Sequence, residues 1–342
     1  MQAAERRVGT FTMAFRTPVA VEATASVAGP VEGKGPLAGY FDRVVEDKLF
    51  GHPTWESAEA AFLRQAVDLM LQKRGLKGQD LDYLVAGDLI NQLGASSFAA
   101  RAVDRPFLGL FGACATWAEA LTVGALLVDG GYARRVGVAV SSHHEAAERQ
   151  FRYPVEFGYQ RPATATWTAT GAAAALLVAE GEGPRITLAT VGRVIDMGVK
   201  DPFDLGGAMA AAAADTVVHH LRDSGRSPDD YDLIATGDLG SYGLPLTADL
   251  VRDQGYNLGE RAVDCGVLLY DRAQGVGAGA SGTACSGMVT SGYLYREMLA
   301  GNLRSVLLVS TGALFSPTSY HQGESIPCVA HAVSIEWGVG GQ

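Results

Sequence analysis

Apolar positions recur along the chain with helical spacing in some stretches and as short continuous runs in others. Over 58–74 and 208–222 they fall three and four residues apart, which predicts two amphipathic helices. Each is followed by a short apolar run, 83–86 and 233–236, closed by Gly-Asp, which predicts a strand and a turn. Residues 75–89 (GLKGQDLDYLVAGDL) and 225–239 (GRSPDDYDLIATGDL) align without a gap at an offset of 150 residues. They share the opening Gly, both Asp positions and the closing Gly-Asp-Leu.

A second pair of matching stretches follows. GACATWAEALTVGALLVDGGYARRVGVAVSSHH predicts a turn, a helix and a strand ending at Ser141 and Ser142. ACSGMVTSGYLYREMLAGNLRSVLLVSTGALF repeats the plan after the glycines of 279–282, with its strand ending at Ser310 and Thr311. Each half also opens alike, with predicted strands at 19–28 and 186–197. A repeat this long is no solenoid unit. Alternating strands and helices predict two α/β halves, residues 1–180 and 181–342, with mostly parallel sheets, joined near 181–184 and sharing one cleft.

Composition narrows the function classes. The 342 residues are 48% hydrophobic and 19% charged, which excludes a disordered chain. A net charge of −10 argues against nucleic acid as a partner, because phosphates would go unneutralised. Four cysteines are too few for a disulfide scaffold. The longest apolar runs, 170–179 and 209–214, fall far short of the roughly 18 residues of a membrane span. With no signal-peptide pattern at the start, the reading is a chain made in the cytosol and held at a membrane only by other components.

Several residues could carry chemistry. Cys114, between an apolar strand and a predicted helix, would meet a helix N-terminus that favours a thiolate or an anion. The same position also suits a buried small hydrophobe. His143 and His144 stand where a strand ends, followed by Arg149, Arg152 and Arg161 in a long loop rich in aromatics. Adjacent histidines in a strand cannot both face one pocket. Asp264, beside Cys265 and before an apolar run, is a pocket candidate; His321 could approach the cleft. The run GVGAGASGTACSG, with Ser281 inside it, allows close backbone approach and offers N–H donors. Metal-ligand spacings and a dinucleotide fingerprint are both missing, so no metal site and no cofactor are expected.

The order GACAT, TATGAAAALL, GAGASG resembles the thiolase-like superfamily over essentially the whole chain. That likeness implies a five-layer αβαβα fold of two duplicated halves, a homodimer, and Cys114 at the superfamily's nucleophile position. More narrowly, SSHHEAAERQFRYPVEFGYQRP, ATWTATGAA, DCGVLLYD and GDLGSYGL resemble the stage V sporulation protein AD family. Those thiolase-like proteins of spore-forming bacteria bind dipicolinic acid during its import into the developing spore.

The chain departs from its enzymatic relatives at two positions. Where thiolases carry His in a Gly-His-Pro segment, this chain has Val276. Where ketoacyl synthases carry a second His after the repeat's strand, it has Thr236-Gly237-Asp238-Leu239. Condensation needs a base and an oxyanion hole that include those histidines.

The resemblance therefore implies a non-enzymatic binder of dipicolinic acid, taken free or as its calcium chelate. Its site would draw on Cys114, His143 or His144, one of Arg149, Arg152 or Arg161, and the Gly279 to Gly282 backbone with Ser281. Asp264 would orient a donor or meet calcium. Peripheral association with the inner spore membrane through an uptake complex is implied as well. The alternatives are an acyltransferase using Cys114 as nucleophile and a scaffold with a vestigial cleft.

Overall fold

The computed structural model of the chain describes residues 6–151 and 161–338. Among the described residues the main sheet has twelve strands, ten of them in one continuous path: β1 (Thr12–Ala28), β2 (Tyr83–Gly87), β3 (Phe107–Gly109), β4 (Arg135–Ser142), β5 (Gly171–Val178), β6 (Arg185–Val191), β7 (Leu233–Thr236), β8 (Ala262–Asp264), β9 (Ser305–Ala313) and β10 (Cys328–Glu336); the short strands Arg7–Val8 and Arg43–Val44 pair with β1 off that path. Along the path the spatial order is β8-β7-β9-β10-β6-β1-β5-β4-β2-β3. It reads as the same five-strand plan on either side of the antiparallel β1–β6 pair.

Each side is mixed rather than mostly parallel. β2, β3 and β4 run parallel, as do β7, β8 and β9. β5 and β10 run antiparallel to β4 and β9. The reason lies in the connections: Ser142 pairs with Gly171 and Ala313 with Cys328, so each chain segment returns from the end at which it left. Both long inserts are thereby placed at the C-terminal ends of the parallel strands, where ligand-facing residues collect.

Period-two alternation sorts β5 between two layers. Ala173, Ala175 and Leu177 join the central core, while Ala172, Ala174, Leu176 and Val178 join an outer one. The outer core packs under α1 (Trp55–Gln72) and α2 (Gly94–Val103). The central core holds α3 (Thr116–Asp129) and the helix running from α8 (Thr283–Met288) through a π turn at Val289–Leu294 into α9 (Tyr295–Leu299). α3 touches strands of both sides, among them β4 and β9. A third core lies under α5 (Leu205–Ser224) and α6 (Gly240–Asp253). With the two halves of this sheet as separate layers, the order is helix, half-sheet, helix, half-sheet, helix, the five-layer thiolase-like arrangement.

Helix starts are set by caps. α1 begins at Trp55, ahead of the apolar spacing, because Thr54 Oγ1 accepts the Ser57 N–H at 3.2 Å. Asp204 caps α5 in the same way. β6 stops at Val191 rather than 197, at Gly192, whose N–H donates to His331 Nδ1 at 3.2 Å.

The paired Asp residues of the repeat do the same work twice. Asp82 accepts the N–H groups of Arg134 and Arg135 at 2.7 and 2.9 Å; Asp232 accepts those of Arg304 and Ser305 at 2.6 and 3.0 Å. Each thus anchors the start of the long strand beside it. Asp80 and Asp230 accept the Lys77 and Ser227 N–H groups, both at 2.7 Å. The third shared acid, Asp88 or Asp238, sits just past the strand end and is buried in both halves.

Candidate functional site

Past the end of β3 the chain turns sharply into α3. Ala113 takes a left-handed φ of 50°, unusual for a residue with a side chain, and presents Cys114 just ahead of the helix. The turn is clasped by β9: a Cβ on Gly312 would collide with the Gly112 carbonyl, so only glycine lets the backbones approach this closely. Cys114 is 8% exposed and opens on a cavity of about 50 Å³ lined by Leu89, Phe111, Ala147, Phe151, Thr168, Ser281, Phe315 and others. Its walls are mainly apolar, with Ser281 and Thr168 as hydroxyl donors.

The group that faces the thiol was legible in the sequence only as a missing histidine. Asp238, the repeat's closing acid, hydrogen-bonds the Cys114 side chain. Its carboxylate also accepts the Thr311 hydroxyl at 2.7 Å and the Gly282 N–H at 3.1 Å. Burial pushes its pKa up to about 7 against the pull of those hydrogen bonds, and the neighbouring Asp264 adds to the rise. The Gly-Asp-Leu repeat had marked the residue, but it reads as turn punctuation until the fold brings Cys114 to it.

Asp264 stands one step behind. It accepts Thr236 Oγ1, Leu239 N–H, Gly240 N–H and Val267 N–H at 2.7, 2.9, 3.0 and 3.2 Å. That holds the turn carrying Asp238, and Asp264 reaches the cavity only through it. Cys265 and Cys285 are deeply buried, and burial pushes both thiols well above their usual pKa. Val276 is buried as well.

The histidines part because the chain after Ser142 turns into helix α4 (His144–Phe151), where a loop was expected. His143 points toward the outer layer, its Nε2 2.8 Å from the Lys48 carbonyl and its Nδ1 3.4 Å from Glu145. Burial lowers its pKa, which favours the neutral ring. His144 stacks on Trp167 with centroids 3.7 Å apart and planes 8° from parallel. Arg161 lies 4.7 Å over the same indole, 3.3 Å from His144 Nε2 and 3.6 Å from Glu148. This stack adjoins Thr168 in the cavity wall.

Three of the expected residues lie elsewhere. Arg149 faces α1, where it pairs with Glu56 and covers Trp55, because it sits on the opposite side of α4 from Ala147. His321 ends the exposed turn α10 (Pro317–His321). His143 belongs to the outer layer. Arg152, Tyr153, Phe157 and Tyr159 lie outside the described residues. Among the described residues, no three His, Cys, Asp or Glu side chains come together in a metal-binding group.

The family described as stage V sporulation protein AD matches residues 9–336. The protein of that name from Bacillus subtilis (strain 168) is 46% identical over 328 residues, covering 96% of this chain and 97% of the relative. Among solved structures, 3-oxoacyl-[acyl-carrier-protein] synthase III from Aquifex aeolicus VF5 shares 12% identity at a TM-score of 0.57, over 93% of this chain and 100% of that one. Cerulenin-bound OleA from Xanthomonas campestris shares 14% at 0.60, over 95% and 100%. Human mitochondrial 3-ketoacyl-CoA thiolase in complex with CoA shares 13% at 0.57, over 95% and 99%. At these identities the shared property is the fold.

Proposed function

Because the chain belongs to the stage V sporulation protein AD family, we propose that it binds dipicolinic acid, free or as its calcium chelate, without catalysing a reaction. The observation that carries this reading is the Cys114–Asp238 hydrogen bond. A catalytic thiolate needs a base that takes its proton, or a cation beside it. Asp238 keeps its own proton up to about pH 7 and above that repels a thiolate, whereas a protonated histidine in its place would attract one. Val276, apolar at the other expected histidine position, removes the second partner.

The ligand's chemistry fits what flanks the cavity. At about 50 Å³ the space beside Cys114 holds little more than a water or two, far below the several hundred Å³ of a small-molecule site. A planar aromatic diacid would enter by one edge and lie against the His144–Trp167 stack, with Arg161 offering a charge-assisted bond to a carboxylate.

The same reading has the chain synthesised in the cytosol, paired with a second copy, and held at the inner spore membrane by other proteins of an uptake complex. Edge strand β3 supports the pairing. Leu108 and Phe111 are 40% and 48% exposed there, and Phe111 also lines the cavity. Among the described residues no helix is long and apolar enough to cross a membrane, so attachment would run through partners.

An acyltransferase remains the second reading, favoured by the strained Ala113 turn that sets Cys114 before α3. Intact-mass measurement after incubation with an acyl-CoA separates the two. The proposal expects unmodified Cys114 in protein that binds dipicolinate saturably; a stable acyl adduct on Cys114 would overturn it.

A further inference from the structure

Asp238 and Asp264 form a pair of fully buried carboxylates beside Cys114. Among the described residues, the titratable groups interacting with Asp238 here are acids: Cys114 from the turn before α3, Asp264 from the end of β8, Cys265 from α7 (Cys265–Leu269), Cys285 from α8 and Cys328 from β10. Two adjacent carboxylates shielded from water cannot both ionise.

Donor supply decides which of them keeps a proton. Asp264 accepts three backbone N–H groups and a hydroxyl, a set that stabilises an anion. Asp238 accepts one backbone N–H, the Thr311 hydroxyl and a thiol, which is a weak donor.

We propose that Asp238 carries the dissociable proton of the cleft, and that an anionic ligand enters together with one proton. The inference rests on the ligand reading above and adds its regulation. A carboxylate ligand brought to Cys114 would stand beside Asp238; with Asp238 neutral, the remaining negative charge of the pair is that of Asp264, held by its own donors one step behind, and with Asp238 ionised, ligand and side chain repel. Binding is therefore strong while Asp238 is protonated and weakens as it ionises, above about pH 7. The expected loss is about tenfold in affinity per pH unit beyond that point, the signature of one linked proton.

Calorimetric titration with dipicolinate from pH 6 to 9, in pairs of buffers of different ionisation enthalpy, reads both the slope and the proton count. Wild type is expected to lose about tenfold per unit above pH 7 and to take up one proton per ligand at pH 8. Asp238→Asn, permanently neutral, should bind with no slope and no uptake. A flat wild-type profile overturns the inference, as does a slope that survives in Asp238→Asn. Should that variant not fold, the wild-type slope and proton count decide alone.

If wild type binds no dipicolinate at any pH, the ligand reading fails and the proton assignment is judged separately. Difference infrared spectra of wild type minus Asp238→Asn at pH 6 must then contain a protonated-carboxyl carbonyl band. Its absence overturns the assignment.

Discussion

Glu32 and Tyr270 meet side chain to side chain in the seam between the two halves, the phenol donating to Glu32 Oε1. The same oxygen accepts the Thr170 N–H at 2.9 Å, and Thr170 Oγ1 in turn accepts the His144 N–H at 3.0 Å. The seam is thus wired to the start of α4. Burial raises the Glu32 pKa to about 7, the hydrogen bonds from Tyr270 and Thr170 opposing it.

That shift gives stability a pH slope of known sign. Unfolded, Glu32 ionises near 4.5; folded, it keeps its proton to about 7. Between those values the native state binds the extra proton, so stability falls as pH rises, by about 1.4 kcal/mol per unit for this group. Below the lower value the contribution vanishes, and above the upper one it is constant. Denaturant midpoints measured from pH 5 to 8 should fall with pH in wild type and fall less steeply in Glu32→Gln. Equal slopes would show that Glu32 ionises normally.

Asp264→Ala strips the partners from the Leu239, Gly240 and Val267 N–H groups and from the Thr236 hydroxyl. An unsatisfied buried donor costs about 1–3 kcal/mol, so the variant should lose at least 3 kcal/mol of unfolding free energy. A loss under 1 kcal/mol in urea denaturation would mean that this turn is not held by Asp264.

Gly312→Ala acts on the site more than on the fold. Its methyl group meets the Gly112 carbonyl and must push the Cys114 turn away from Asp238. Overpacking of this kind destabilises by about 1–3 kcal/mol. Dipicolinate affinity should fall by about tenfold or more, since 1.4 kcal/mol is a factor of ten. Unchanged affinity in a folded variant would place the ligand away from Cys114.

The two histidines should separate cleanly. His143→Ala removes a buried ring bonded to the Lys48 carbonyl, and should lower the melting temperature while leaving dipicolinate affinity unchanged. His144→Ala removes one member of the Trp167 stack, worth about 0.5–1.5 kcal/mol, and should weaken binding by roughly two- to tenfold. Parallel thermal and calorimetric measurements check both; the reverse pattern would exchange their roles.

What the sequence makes legible follows from the range of each interaction. Strand and helix positions are local: β7 falls at 233–236 as the apolar run predicts, and α1 and α5 start early where Thr54 and Asp204 cap them, their far ends lying within two residues of expectation. The repeated Asp residues are legible as a pattern, and their matched N–H partners explain the pattern. Strand direction is not local, because β5 and β10 are turned antiparallel by where their inserts begin and end. Side-chain direction after Ser142 depends on helix α4, which a polar, aromatic-rich stretch disguises as loop; that sends Arg149 toward Glu56 and His144 toward Trp167. Asp238 becomes a site residue only when β7 and the Cys114 turn, 124 residues apart, are brought together.

Calorimetric titration of dipicolinate into wild type, Arg161→Ala and Arg149→Ala at pH 6.5 tests the central claim most directly. Arg161 borders the Trp167 stack, whereas Arg149 is held against α1. Saturable binding at one ligand per chain is expected in wild type and unchanged in Arg149→Ala. Arg161→Ala should bind about 10- to 100-fold more weakly, the worth of a charge-assisted hydrogen bond. No saturable binding in wild type, or equal affinity in all three proteins, would contradict the account.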